Sequence, residues 1–150
     1  MKTVHKSVLI WYSAAEMFAL VTDVARYPEF LPWCDQARVV DEDGQGMTAK
    51  VGIAFAGIHQ SFTTRNSHVP DRQVSLKLVD GPFSRLDGDW DFTPLGDGGQ
   101  RACRVDLTLR YDFDNLALAA LVGPVFDKIA GSMVDAFVKR AAQVYGESAG

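Results

Sequence analysis

Between Asp35 and Phe113 apolar and polar residues alternate, and turn residues break the alternation about every ten positions, the pattern of an antiparallel sheet built from hairpins. The turns fall at Gly44-Gln45-Gly46, Pro70-Asp71, Gly81-Pro82 and Gly96 to Gly99, with Gly57 marking a bulge or a further turn. Met47, Ala49, Val51, Ile53 and Phe55 share one face of a strand, and Val74, Leu76 and Leu78 one face of another. Leu86, Gly88, Trp90 and Phe92 oppose Arg85, Asp87, Asp89 and Asp91. Cys103, Val105, Leu107, Leu109, Tyr111 and Phe113 oppose Arg104, Asp106, Thr108, Arg110 and Asp112. The opposed charges read as cross-strand pairs on a wet face, each of small value. A sheet with one apolar face must be covered. The cover comes after Asp114, where the period changes to three and four: Phe126, Ile129, Met133, Phe137, Ala141 and Val144 form one stripe of a helix predicted over 115–145. Gly123-Pro124 is expected to interrupt that helix, because proline removes a ladder donor. The expected architecture is a single α+β domain over 1–150, an antiparallel sheet of about seven strands wrapped around one long C-terminal helix.

The first strand is predicted from Lys2 to Trp11, with Val4, Val8 and Ile10 inward. Ser13-Ala14-Ala15-Glu16 then matches a capping box and starts the first of two short helices, with Met17, Phe18, Leu20, Val21 and Val24 at helical spacing. Arg26 to Cys34, RYPEFLPWC, follows as an aromatic knuckle. Pro28 and Pro32 leave room for only a short helical turn, and Tyr27, Phe30, Leu31 and Trp33 are too apolar for a solvated loop. Such a knuckle either plugs one end of the core or forms the rim of a pocket.

Several function classes drop out. A net charge of -4 argues against nucleic acid as a partner for the whole surface and no DNA is expected, which leaves room for a local basic patch. Cys34 and Cys103 form no CxxC pair and are expected as reduced core thiols of a cytoplasmic chain. The N-terminal residues lack a signal-peptide pattern. The uncharged run between Asp114 and Asp127 is about a dozen residues, against about 20 for a bilayer span, so any membrane contact is expected to be peripheral, at the inner face. His5, His59 and His68 show no ligand spacing, so no metal is expected. GDGG at 96–99 has no following helix, no GxSxG elbow exists, and Cys34 sits in an inert apolar context, so no catalytic residue is nominated.

VTDVARYPEFLPWC, VGIAFAGIHQSFTTRN, LVDGPFSRLDGDWDFTPL and FDKIAGSMVDAFVKRAAQVYG together resemble the START-like family of coenzyme Q-binding proteins and ribosome-association toxins, often grouped with polyketide cyclases and dehydrases. The resemblance runs from about Val4 to Gly146 and implies a helix-grip fold over a hydrophobic tunnel. It implies no catalysis by itself. Its first functional implication is non-enzymatic carriage of a hydrophobic molecule such as ubiquinone, with no cofactor beyond that bound ligand. The lining would come from Tyr27, Phe30, Trp33, Phe55, Phe62, Trp90, Phe92, Phe113, Phe126, Ile129, Met133 and Phe137, a set that also fits a solid core. Tyr27, His59 and Arg65 are the candidate headgroup contacts. The alternative partner is the large ribosomal subunit. Arg65, Arg72, Lys77, Arg85, Arg101, Arg104 and Arg110 are available for it, interleaved with Asp87, Asp89, Asp91 and Asp106. Leu116, Leu118, Leu121 and Val122 form either a buried first turn of the helix or a lid that touches lipid, hinged at Gly123-Pro124.

Overall fold

The computed structural model describes residues 2–96 and 101–146. Seven strands form one antiparallel sheet: β1 Lys2–Ile10, β2 Cys34–Asp43, β3 Gly46–Phe55, β4 Ile58–Val69, β5 Gln73–Asp80, β6 Phe83–Pro94 and β7 Cys103–Phe113. Helix α1 (Ala14–Thr22) and a 3-10 turn (Val24–Glu29) connect β1 to β2, and α2 (Leu116–Tyr145) closes the chain. The order across the sheet is β1-β7-β6-β5-β4-β3-β2. Every neighbour from β2 to β7 is a hairpin partner, which the alternating sequence anticipates. Only the pairing of β1 with β7, Val8 opposite Val105, joins distant parts of the chain.

Local chemistry accounts for the connections. Ser13 caps α1: its side chain accepts from the Glu16 N–H, and Glu16 accepts in return from the Ser13 N–H. Ala56 and Gly57 take φ of 51° and 81°, so Gly57 is the tip of a two-residue hairpin between Phe55 and Ile58 and not a bulge. Gly88 lies so close to β7 that a Cβ there would stand 2.3 Å from the Thr108 carbonyl oxygen. The turn expected from Gly96 to Gly99 lies, beyond Gly96, outside the described residues.

Three sequence expectations are corrected. Helix α2 runs unbroken through Pro124. Gly123 and Val122 on the preceding turn are buried, and Phe126 packs two residues later, so packing on both sides of the missing bond holds the helix together. The inward stripe is Val122, Phe126, Ile129, Ala130, Met133, Val134, Phe137 and Ala141, and Val144 is exposed because the stripe has rotated off the sheet by then. Strand β2 begins at Cys34, the last residue of the knuckle and one before the alternation expected from Asp35.

Polar contacts fix α2 at both ends of its packed region. Asp127 takes a 2.6 Å ion pair from Lys2 of β1 and a short hydrogen bond from the Tyr111 hydroxyl of β7. At the far end the Tyr145 hydroxyl donates to the Glu16 carbonyl at 2.9 Å, and Tyr12 donates to the Gly146 carbonyl at 2.7 Å.

Candidate functional site

Between the concave sheet and α2 lies a cavity of about 80 Å³. Val24 and Tyr27 of the 3-10 turn and Trp33 of the knuckle close one end of it. Strands β3 to β7 supply the wall and α2 supplies Phe126, Ile129, Met133 and Phe137. The aromatic rings meet edge to face: Tyr27, Phe30 and Trp90 stand 5.5, 5.1 and 5.1 Å from Phe137. The knuckle is both plug and rim, because Leu31 and Trp33 are buried while Tyr27 and Trp33 also face the cavity.

The polar content of the lining is small and specific. The Thr64 hydroxyl donates to Asn66 Oδ1 at 2.7 Å, and both residues are buried. Both share the inward face of β4 with Phe62. Among the described residues the Asn66 amide N–H2 has no hydrogen-bond acceptor. The Tyr27 hydroxyl is occupied, donating to the Val21 carbonyl, and burial pushes its pKa up. Burial also pushes the Cys34 and Cys103 thiols up to about 11, which keeps them protonated at neutral pH.

Of the twelve aromatic and aliphatic residues nominated from sequence, Tyr27, Trp33, Phe62, Trp90, Phe126, Ile129, Met133 and Phe137 line the cavity. The other four lie elsewhere. Phe92 stacks beside Trp90 and meets Phe18 of α1 edge to face. Phe113 stacks on Phe83 at 5.1 Å, Phe55 carries the Lys128 ammonium over its ring, and Phe30 carries the Arg140 guanidinium. Neither proposed headgroup residue on β4 reaches the cavity. Arg65 and His59 share a face with Thr63 and Ser61, opposite to Phe62 and Thr64, because side chains alternate along a strand. Sequence reasoning missed Thr64 and Asn66. Their signal was the same alternation: in FTTRN, Phe62 fixes Thr64 and Asn66 as inward and Arg65 as outward. On α2, Leu116 and Leu121 are exposed at 89% and 60%, Leu118 is half-buried, and Val122 is fully buried and belongs to the core, not to a lid surface.

The outer sheet face is charged, and its β6–β7 half neutralises itself. Asp87 accepts from Arg85 at 2.9 Å and from Arg110 at 2.8 Å, Asp89 lies 3.3 Å from Arg110, and Asp106 lies 2.9 Å from Arg104. Partial burial raises the Asp87 pKa, but the two guanidiniums outweigh it and hold the carboxyl below its ordinary range.

The family model described as polyketide cyclase / dehydrase and lipid transport matches residues 10–138. The ribosome association toxin RatA of Vibrio cholerae is 45% identical over 147 residues, spanning 98% of this chain and 100% of that protein. The mitochondrial Coenzyme Q-binding protein COQ10 homolog B of Xenopus laevis is 29% identical over 142 residues, spanning 94% of this chain and 58% of that protein. Among solved structures, the Zhui aromatase/cyclase of a Streptomyces species superposes with a TM-score of 0.84 at 14% identity, covering 99% of this chain and 98% of that one. At that identity the likeness speaks for the fold alone.

Proposed function

The chain belongs to the polyketide cyclase / dehydrase and lipid transport family, and within it we propose that the protein is a non-enzymatic ribosome-association factor that binds the large ribosomal subunit and hinders subunit joining. The observation that carries this reading is end-to-end likeness to a ribosome association toxin, 45% identity with essentially the whole of both chains aligned. The interior agrees with a binding role. The polar groups of the cavity wall belong to Tyr27, Thr64, Asn66 and the indoles of Trp33 and Trp90, and the hydroxyl of Tyr27 is already committed. None of these exchanges a proton readily near neutral pH. On this reading the protein works in the cytoplasm.

The test is sedimentation. Dissociated ribosomal subunits are mixed with the purified protein and Mg2+ is raised to drive joining. The expected result is a loss of joined ribosomes with the protein in the large-subunit fractions. Normal joining, with the protein left at the top of the gradient, overturns the reading.

A second reading, carriage of a quinone-like molecule, has one observation in its favour: an apolar cavity whose wall carries the Asn66 amide, without an acceptor among the described residues and a donor suited to a carbonyl oxygen. Its size counts against it. Ligand sites commonly offer about 300–1,000 Å³, and this one offers about 80 Å³, so α2 or the knuckle would have to move outward. Solvent extraction of the protein purified from its native host, followed by mass spectrometry, decides this reading: a stoichiometric long-tailed quinone supports it and a lipid-free extract rejects it.

A further inference from the structure

The strand register lines up cations that the sequence keeps apart. Arg38 of β2 stands directly opposite Lys50 of β3. Arg65 of β4 stands directly opposite Lys77 of β5. Lys50 pairs with Thr63 on β4, two residues from Arg65, so the two cation pairs join on the diagonal. All four side chains are on the outer face, since the neighbouring Ala49, Val51, Thr64 and Asn66 are buried. The result is one stripe, Arg38, Lys50, Arg65, Lys77, across four adjacent strands and so roughly 14 Å long at the usual strand spacing. Directly opposed like charges destabilise a sheet, and two such pairs meet in a chain that carries a net charge of -4.

Among the described residues one carboxylate, Asp43, pairs with the stripe, at Arg65. Asp43 accepts from Arg65 through Nη2 alone, leaving the other guanidinium nitrogens unengaged by it, and its Oδ1 also accepts from the N–H groups of Gln45 and Gly46. Asp87, opposite Lys77, is already held by Arg85 and Arg110. Asp41 and Asp80 sit opposite Thr48 and Thr63. Among the described residues Arg38, Lys50 and Lys77 form no ion pair. Hydroxyl groups of Thr48, Thr63 and Ser67 lie between them, at the spacing of the sheet. A ladder of cations and hydroxyls without bases to read is the chemistry that grips a phosphate backbone.

We propose that this stripe on β2 to β5 is the surface that docks on the sugar-phosphate backbone of ribosomal RNA, with the self-neutralised β6–β7 half left out of the contact. The proposal rests on the ribosome-association reading and names the face and the chemical partner. Because the chain as a whole carries a net charge of -4, the stripe also sets the orientation of approach.

The experiment measures affinity for purified large ribosomal subunits from about 50 to 200 mM salt. It compares the wild type, an Arg38→Gln/Lys50→Gln/Lys77→Gln triple variant, and an Arg85→Gln/Arg104→Gln control on the paired half. The triple variant is expected to lose about tenfold or more in affinity and to flatten the log–log salt slope by about 2 to 3, one phosphate contact per removed cation. Its thermal midpoint should be equal to or above wild type, because like-charge opposition is relieved, so weaker binding is not unfolding. The control should change affinity less than about twofold. Wild-type binding that the triple variant retains with the same salt slope overturns the stripe and leaves the ribosome reading standing. A wild type that binds no large subunits overturns both.

Discussion

Helix α2 has two apolar segments of opposite fate. From Phe126 to Ala141 its apolar stripe is buried to a few per cent exposure, with Phe137 at 1% and Ala141 at 0%. Its first turns carry Leu116 and Leu121, exposed at 89% and 60%. Length explains the difference better than hydrophobicity does. Thirty helical residues run about 45 Å, whereas a strand of about ten residues covers roughly 33 Å. The sheet cannot wrap the whole helix. Lys2 and Tyr111 hold the helix at Asp127, its packed face starts at Val122, and the turns from Leu116 to Leu121 are left largely exposed. Apolar character along a helix therefore reports a wish for burial, while the dimensions of the partner decide which residues obtain it.

The largest test of this contrast removes an anchor from the gripped half. Phe137→Ala takes away a ring that meets Tyr27, Phe30 and Trp90 and should cost about 3–5 kcal/mol in denaturant unfolding. A loss below about 1 kcal/mol would mean that the helix is held elsewhere. Next comes the polar tie at the far end. The Arg101 hydrogen bond is the main reason that the Glu16 carboxyl falls from 4.5 to about 2, burial opposing it and the Ser13 cap assisting. A carboxyl with a depressed folded-state pKa stabilises the fold above its unfolded value. That stabilisation should be complete above pH about 4.5 and fade as pH drops toward 2. Solvent screening of the half-exposed Arg101 holds the effect to about 1–2 kcal/mol. Glu16→Gln should flatten stability against pH in that window, and an unchanged profile would show that the tie contributes nothing.

Glycines sharpen the comparison in the opposite direction. A Cβ at Gly131 meets nothing within 4 Å and one at Gly123 meets only Phe113 Cε2 at 3.6 Å. Gly131→Ala and Gly123→Ala should each raise stability, by about 0.5–1 kcal/mol; a loss at Gly123 alone would show that the helix start is packed more tightly against β7 than its spacing indicates. The smallest effect belongs to the projecting turns. Leu116→Asp with Leu121→Asp should change stability by no more than about 0.5 kcal/mol. A large loss would place this segment in the core after all.

Much of the fold was legible in the residues. The alternation in β3 and in β5 to β7, the hairpin turns, the Ser13–Glu16 capping box and the stripe on α2 all depend on neighbours a few positions apart, so the chain itself carries their signal. The candidate site was legible in part. Tyr27, Trp90 and Phe137 line the cavity as their apolar faces suggested, whereas Phe92 and Phe113 lie on equally apolar positions and are consumed by Phe18 and Phe83. No local rule separates the two outcomes, because each ring's neighbour comes from an element remote in sequence.

What the sequence determined alone was therefore the element order, the inward and outward sets on β3 and on β5 to β7, and the need of one sheet face for the last helix. Tertiary structure decided how far the helix is gripped, which inward residues leave an 80 Å³ gap between them, and which outward cations meet. The physical reason is register. Side chains within a strand alternate by steric necessity, but the position of Lys50 beside Arg38, and of Arg65 beside Lys77, follows from turn geometry and core burial summed over whole strands, and a slip of one residue would send every one of them to the other face.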